Sequence, residues 1–428
     1  MKKVQLKKLI DVSRGASLPG KLYSTSGELI RLTLGNFDYV NNGFKVNTSK
    51  DNIYFTGQVS DEFVLNKGDI ITPLTEQKEG LLGTTARIPE SGKYIQSQDV
   101  GLITAISDDI IPDYMYYLLP SSLVKKQLSV GAQQTSIRHT SPDKIKDCFV
   151  FIPEKKQQER IVALLDDIER KIELAEEEYE ALCLLGSTVF DYWFMQYDFP
   201  DANGKPYKSS GGEMVWCEQL KRSIPKGWQP SIIGKHVHPL ERGVTYSSDE
   251  IKGRNGLPML NLACYDKQGN YRSGELKYFS GAVSDDIKAF PGEMLIATTD
   301  MTRDADVIGR PIWVSKEYDE FVYSMDLVKI TPKEDLLASF LYFTLKDKNY
   351  HRYIKPFASG TNVLHLNTQG ILDYVFILPP KDLQTKFEDF YSGIKERSFV
   401  LRNEINALRE YKNYVTPLFM NGQATIAD

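Results

Sequence analysis

The strongest constraint on the fold is that the chain is written twice. Lys67-Gly-Asp-Ile-Ile-Thr-Pro-Leu-Thr-Glu76 aligns with Pro291-Gly-Glu-Met-Leu-Ile-Ala-Thr-Thr-Asp300, so Gly68 falls on Gly292, Thr75 on Thr299 and Glu76 on Asp300. Arg14-Gly15 falls on Arg242-Gly243, Leu82-Gly83 on Ile308-Gly309, and Ser97-Gln-Asp-Val-Gly-Leu-Ile103 on Ser324-Met-Asp-Leu-Val-Lys-Ile330. Tyr114-Met-Tyr-Tyr-Leu-Leu119 falls on Leu341-Tyr-Phe-Thr-Leu-Lys346. These matches are collinear at a shift of 224 to 228 residues, which makes the 428 residues two copies of one plan.

The end of each copy is its clearest part. Phe149-Val-Phe-Ile-Pro153 matches Val375-Phe-Ile-Leu-Pro379, and each opens a long helical pattern. The first apolar seam reads Ile161, Leu165, Ile168, Ile172, Ala175, Tyr179, Leu182, Gly186, Val189, Trp193, in alternating steps of four and three, which is coiled-coil spacing. The second reads Phe387, Tyr391, Ile394, Ser398, Leu401, Ile405, Leu408, Lys412, Val415, Phe419, with polar interruptions at Ser398 and Lys412. At 1.5 Å per residue each seam makes a rod of about 50 Å. The order globule, helix, globule, helix makes an antiparallel pairing of the two helices the economical geometry.

The segment from Tyr197 to Glu213 is dense in Gly, Pro, Asn and Ser and reads as a surface connection. The expected organisation is a globule at 1–152, a long spacer helix at 153–196, a linker at 197–228, a second globule at 229–378 and a second spacer helix at 379–421. Leu29–Thr33, Gly68–Ile71 and Val100–Ile103 look like short strands, Asn41-Asn-Gly43 like a turn, and Asp113–Gln127 like a helix with Pro112 at its first turn. The fold class is α+β: two similar mixed α/β domains, each followed by a long helix, the helices pairing as an antiparallel coiled coil with pseudo-twofold symmetry.

Charge separates the parts. The chain has 52 Lys and Arg against 57 Asp and Glu, a formal net charge of −5, which excludes binding to nucleic acid through bulk positive charge but not through local basic faces. Ten acids against five bases between Lys155 and Met195 account for that whole deficit, whereas residues 1–51 hold nine bases against four acids. A rod that avoids a polyanion while the globules touch it would show this pattern; so would a plain solvated helix face. Cys148, Cys183, Cys217 and Cys264 form no CxxC pair, which points to a reducing compartment. MKKVQLKKLIDVSRG has no apolar run after its lysines, and 18 consecutive apolar residues occur nowhere. The expectation is a cytoplasmic protein with neither signal peptide nor membrane span.

Catalytic motifs are missing. The sequence has no GxxxxGK[ST], GxGxxG, HExxH or GxSxG. Pro379-Pro380 lies between Leu378 and Lys381, without the Asn or Asp and the aromatic that hold an adenine amino group in methyltransferases. Pro200-Asp201 with Glu275-Leu-Lys277 has the letters of a nuclease site but spans the linker and a separate globule. His236-Val-His238 has no carboxylate or cysteine paired to it and reads as a polar surface pair, so no metal site is expected.

What remains is a two-headed binder. In a DNA reader Arg and Lys meet phosphates or guanine edges, and Asn or Gln meet adenine. The candidates are Arg14, Lys21, Thr75, Lys78, Arg87, Gln133, Gln134 and Arg138 in the first globule, and Arg242, Arg254, Thr299, Arg303, Arg310 and Asn362 in the second. Each taken singly is equally an ordinary turn residue.

Three features carry a family resemblance: the duplicated globule-plus-helix plan; Phe151-Ile-Pro-Glu-Lys-Lys-Gln-Gln-Glu-Arg-Ile161 with its looser copy Ile377-Leu-Pro-Pro-Lys-Asp-Leu-Gln384; and Phe199-Pro-Asp-Ala-Asn-Gly-Lys-Pro-Tyr-Lys-Ser-Ser-Gly-Gly-Glu-Met-Val-Trp216 leading to Ile224-Pro-Lys-Gly-Trp228. Over essentially the whole chain these resemble the specificity subunits of type I restriction–modification enzymes. The first copy departs in its Gln158-Glu159 order, where Glu-Gln is usual, and in Pro153-Glu154 in place of Pro-Pro.

The resemblance implies that the chain is non-catalytic and binds double-stranded DNA. Each globule would be a target-recognition domain reading half of a bipartite, asymmetric site. The helices would space the half-sites about one helical turn (~34 Å) apart and dock modification subunits, two of them, one near each globule. S-adenosylmethionine, ATP and Mg would sit on the modification and restriction subunits, where an adenine is flipped out for methylation, and no cofactor on this chain. Two other readings stand beside it: a coiled-coil interaction scaffold without nucleic acid, and a free-standing nuclease or methyltransferase, which the motif search opposes.

Overall fold

The computed structural model describes residues 1–48, 51–76, 81–131, 138–251, 253, 255–266, 269–272, 276–302 and 304–427. The chain divides into two compact units, one of Met1–Ile172 with Ala407–Asp428 and one of Glu173–Asn406. Each unit takes a globule and one end of both helices, because the helices run antiparallel.

The first long helix spans Lys155–Phe190 and the second Lys381–Met420. In the first unit the Lys412 ammonium lies 2.6 Å from a Glu169 carboxylate oxygen, and Arg160 donates to the Ile426 carbonyl at 3.5 Å. The start of the first helix thus lies beside the end of the second. In the second unit Arg397 makes two 2.7 Å bonds to the Glu178 carboxylate, and the Phe190 and Phe387 rings are 5.8 Å apart. Here the end of the first helix lies beside the start of the second.

The seam residues are distributed unevenly. Ile161, Leu165, Ile168, Ile172, Phe387, Tyr391, Ile394, Leu401, Ile405, Val415 and Phe419 are buried. Tyr179, Leu182, Val189, Trp193 and Leu408 are half-buried. At the end of the first helix the buried positions are Phe190 and Phe194, one step on from Val189 and Trp193. The helix there widens into a π turn over Asp191–Met195, and a 3.6-residue helix drifts against a strict heptad in any case. Both interruptions of the second seam have structural answers: the buried Phe399 fills the place beside Ser398, and Lys412 meets Glu169.

The two globules share one topology. In the first, a sheet ordered Ala86–Arg87, Ile70–Pro73, Val100–Ala105, Ile10–Arg14 is antiparallel throughout. In the second, Pro311–Trp313, Met294–Ala297, Leu327–Lys329, Glu241–Arg242 follow the same order. Each also has a parallel pair, Leu29–Arg31 with Tyr94–Ile95 and Leu257–Leu260 with Phe321–Tyr323. The first strand of each globule returns to pair with the strand that feeds the long helix: Lys2–Gln5 with Phe149–Ile152, and Gln229–Ile232 with Val375–Leu378.

A buried glutamine repeats at each head–helix joint. Gln158 is 0% exposed; its amide nitrogen donates to the Asp109 and Pro153 carbonyls, at 2.8 and 3.0 Å, and its oxygen accepts from the Ile111 amide at 3.1 Å. Gln384 is 1% exposed and does the same with the Asp335 and Pro379 carbonyls and the Leu337 amide, at 3.2, 3.0 and 2.8 Å. Each amide ties the first turn of a long helix to the lead-in of the head helix, Pro112–Leu118 or Ala338–Lys346.

The linker is more structured than its composition suggests. Met214–Cys217 and Arg222–Pro225 form a hairpin. Tyr197, Cys217, Ile224 and Trp228 join the core of the second unit, where Phe199 stacks on Tyr207 at 4.6 Å and on Trp228 at 5.2 Å. Asp198 holds the turn, accepting from the Ser209 amide and hydroxyl at 2.7 and 2.6 Å. Turn-rich composition here encodes a compact turn stapled by aromatics rather than a free connection.

Two substitutions test this fold. Gln158→Glu removes both donor bonds and sets a carboxylate against two carbonyl oxygens, so it should cost at least about 3 kcal/mol, and no less than Gln158→Leu. Leu165→Lys buries a charge at a fully covered site and should cost about as much. Urea unfolding of the full chain with its modification subunit reads both; a Gln158→Glu melt matching wild type would remove the glutamine from this role.

Candidate nucleic-acid interface

The expected DNA contacts fall into three groups. Arg14, Lys21, Arg242 and Asn362 are exposed. Arg14 and Arg242 occupy equivalent strand ends and each precedes a glycine pressed on backbone. A Cβ on Gly15 would lie 2.3 Å from the Gln96 carbonyl, and one on Gly243 2.3 Å from the Ser324 carbonyl. Only glycine fits there, so each arginine is held at a fixed place on its head. Lys78, Gln133, Gln134, Arg254 and Arg303 lie outside the described residues, and Arg138 is described only as a strand residue paired with Glu76.

The third group is turned inward. Thr75 and Thr299 are buried in short strands, 7% and 4% exposed, and present nothing to a ligand. Arg87 reaches from its strand to the first long helix, 2.8 Å from Asp166 and 3.8 Å from Glu169, and it also pairs with Asp113 at 3.1 Å. Its guanidinium covers the Tyr116 ring at 4.1 Å. Arg310 donates to the Lys346 carbonyl at 2.8 Å and approaches His351 Nδ1 at 3.0 Å. Sequence alone cannot separate an arginine that faces solvent from one whose partners lie in a distant element.

What the inward residues do is shape loops. Glu76 is 1% exposed and its carboxylate accepts from the Leu81 and Leu82 amides at 2.8 and 3.1 Å. Asp300, also 1% exposed, accepts from the Thr302 amide and hydroxyl at 2.7 and 2.8 Å and from the Val307 amide at 2.8 Å. The repeated acid recognised in sequence is therefore a loop organiser in both heads. In the second head Thr299–Asp300 pairs with Leu364–Leu366, which pairs with Ala358–Ser359. That sheet brings the chain that leaves Asp300 beside the Gly360–Val363 turn carrying Asn362. Met301 is 75% exposed at the first of these, and Lys355 donates to the Asp304 carbonyl at 2.6 Å. Neither Met301 nor Lys355 belongs to a repeated motif, so the sequence does not single them out. In the first head Thr75–Glu76 pairs with Arg138–His139 in the same way.

His236 is not a surface residue, as its sequence context suggests. It is buried between the Ser231 hydroxyl and the Asp335 carboxylate, both at 2.6 Å, and acts as a tie within the second head. Among the described residues no group of three or more His, Cys, Asp or Glu is placed to hold a metal ion, and no helix is long and apolar enough to cross a membrane.

Comparison with known proteins supplies the context for these loops. Residues 1–183 match a family model described as type I restriction modification DNA specificity domain. The MjaIX type I restriction enzyme specificity subunit of Methanocaldococcus jannaschii is 20% identical over 324 residues, 75% of this chain and 71% of the relative. The HindI specificity subunit of Haemophilus influenzae is 22% identical over 374 residues, 77% of this chain and 81% of the relative. The crystal structure of a type I restriction–modification S subunit from M. genitalium superposes with a TM-score of 0.60 at 14% identity, covering 98% of this chain and 96% of that one, a likeness of fold.

Replacing Asp300 with alanine should free the Thr302 and Val307 amides while leaving the core intact. Hydrogen exchange at the Thr302 and Val307 amides is expected to rise by about tenfold or more, with a stability loss of about 1–2 kcal/mol. Unchanged exchange there would show that the carboxylate does not organise that loop.

Proposed function

We propose that this chain is a specificity subunit of a type I restriction–modification enzyme, the family that its residues 1–183 match and that its relatives at 20% and 22% identity are named for. It is the non-catalytic subunit that recognises DNA, and its partners are DNA and the modification and restriction subunits of such a complex. The single observation that carries the mechanism is that two heads of one topology carry different residues at equivalent positions in the sequence repeat. Asn41-Asn-Gly-Phe-Lys-Val-Asn47 stands in the first where Lys267-Gln-Gly-Asn-Tyr-Arg-Ser273 stands in the second.

The finer reading follows from that asymmetry. Each head reads one half of a split site, with exposed Arg14 and Arg242 on phosphate or guanine and Asn362 on adenine. The helices set the gap between the half-sites and dock two modification subunits. S-adenosylmethionine belongs to those subunits, and ATP with Mg to the restriction subunits. DNA in the cytoplasm is the place of action. The acidic helix surface and the basic first fifty residues support this division of labour, since a polyanion is repelled by one and drawn to the other.

The test is co-expression with a modification subunit followed by mapping of methylated adenines in the host DNA. One split, non-palindromic motif is expected, and Asn362→Ala should relax one half of it, by about 1–3 kcal/mol at a single base pair. A palindromic motif, or binding that tolerates exchange of the half-sites, would overturn the asymmetric reading. No methylation and no co-purifying subunit would overturn the role in a complex.

A further inference from the structure

The two head–helix junctions occupy equivalent places and are built from opposite chemistry. Arg87 pairs in register with Ile70, two residues after Gly68, and Trp313 pairs with Met294, two residues after Gly292. Eleven residues beyond the two buried glutamines stand Glu169 and Lys395, and 28 residues beyond them stand Gly186 and Lys412. Arg87 thus corresponds to Trp313, Glu169 to Lys395, and Lys412 to Gly186.

At the first junction the head offers a cation. Arg87 meets Asp166 and Glu169 of the first helix, Tyr117 donates to Asp166 at 2.7 Å, and Lys412 closes the network on Glu169 at 2.6 Å. Burial and the neighbouring Glu169 and Asp166 carboxylates push the Tyr117 hydroxyl far above its ordinary pKa, so it remains a donor. At the second junction the head offers an aromatic ring. Trp313 stacks on Tyr342 at 4.8 Å and donates to the Tyr391 hydroxyl at 3.3 Å, while the helix supplies the cation, Lys395, 4.1 Å from the indole. Gly186 makes the room: a Cβ there would lie 2.9 Å from Phe343 and 3.1 Å from Tyr391.

We propose that these junctions are mutually exclusive matching surfaces, Arg87 with Asp166, Glu169 and Lys412 at one end and Trp313 with Tyr342, Tyr391, Lys395 and Gly186 at the other, so that each head is positioned correctly only on its own end of the helix pair. A head carrying Arg87 set on the second end meets the Lys395 ammonium where it needs Glu169. A head carrying Trp313 set on the first end leaves Asp166 and Glu169 without their guanidinium. These are positioning residues; none of them has to touch DNA. The duplication therefore yields two heads that are alike in fold and not interchangeable in place, which fixes the order in which a split site is read. The proposal rests on the DNA-reading function above.

The experiment uses the full chain with its modification subunit. Trp313→Arg alone should lower methylation of the mapped site about tenfold and widen the tolerated gap by one base pair, through the repulsion from Lys395. Adding Lys395→Glu to it should restore most of the rate and the original gap, because the first junction's chemistry has been moved to the second. A chain with residues 1–152 and 229–378 exchanged should be inactive until Glu169, Lys412, Lys395 and Gly186 are exchanged too. Full activity of the head-exchanged chain without those changes, or a double variant no better than Trp313→Arg alone, would overturn the proposal. Absence of methylation by the unsubstituted chain would be a failure of the DNA-reading function instead. Melting temperatures of the same single and double variants then decide the junction without reference to DNA.

Discussion

Everything in this molecule depends on joining a globule to a long helix at a defined angle, and a buried amide does it. A glutamine side chain has two donors and an acceptor with two lone pairs. Gln158 and Gln384 spend both donors on two carbonyls and the oxygen on one amide, three contacts drawn from the helix lead-in and from the turn before the head helix. Leaving such groups unpaired in a dry site is costly, so the joint has one satisfied arrangement rather than a range. This gives a physical reason for the helix-entry motif that is one of the three features carrying the family resemblance.

Around that common joint the halves have diverged in chemistry while keeping topology. The second unit packs an aromatic cluster, with Phe194 5.3 Å from Phe387 and 4.8 Å from Phe340, against the ends of both helices. The first uses a charge network at the corresponding place. The most covered pair in it, Lys412 with Glu169, contributes little net stability once desolvation is counted, but removing one partner is severe. Such a junction discriminates between right and wrong partners better than it stabilises. That property suits a duplicated chain, whose own second copy is the nearest wrong partner.

The duplication, the helices and the seam were legible in the sequence because periodicity survives divergence: burial of Ile161, Leu165 and Phe387 follows from spacing alone. The seam failed at the end of the first helix, where Phe190 and Phe194 are buried while Val189 and Trp193 are half-buried, and where the helix widens into a π turn from Asp191. The interface was only partly legible. Arg14 and Arg242 are exposed, as a contact residue must be, whereas Arg87 and Arg310 have the same residue type and point inward. Glu76 and Asp300 stood out as a repeated acid, but whether a carboxylate faces a ligand or its own loop depends on which amides the chain brings within 3 Å.

By itself the sequence determined that this protein has two copies of a head and a helix, that the helices have an apolar stripe long enough to pair, and that no catalytic motif is present. Those are properties of order and period along the chain. Only the tertiary structure decided that Lys412 is no defect in the seam, that the Gly- and Pro-rich linker is a folded hairpin, and that the two head–helix junctions are chemically opposite. Each of those rests on partners far apart in sequence, Lys412 with Glu169, Trp228 with Phe199, Trp313 with Lys395, and proximity of that kind is a property of the folded chain alone.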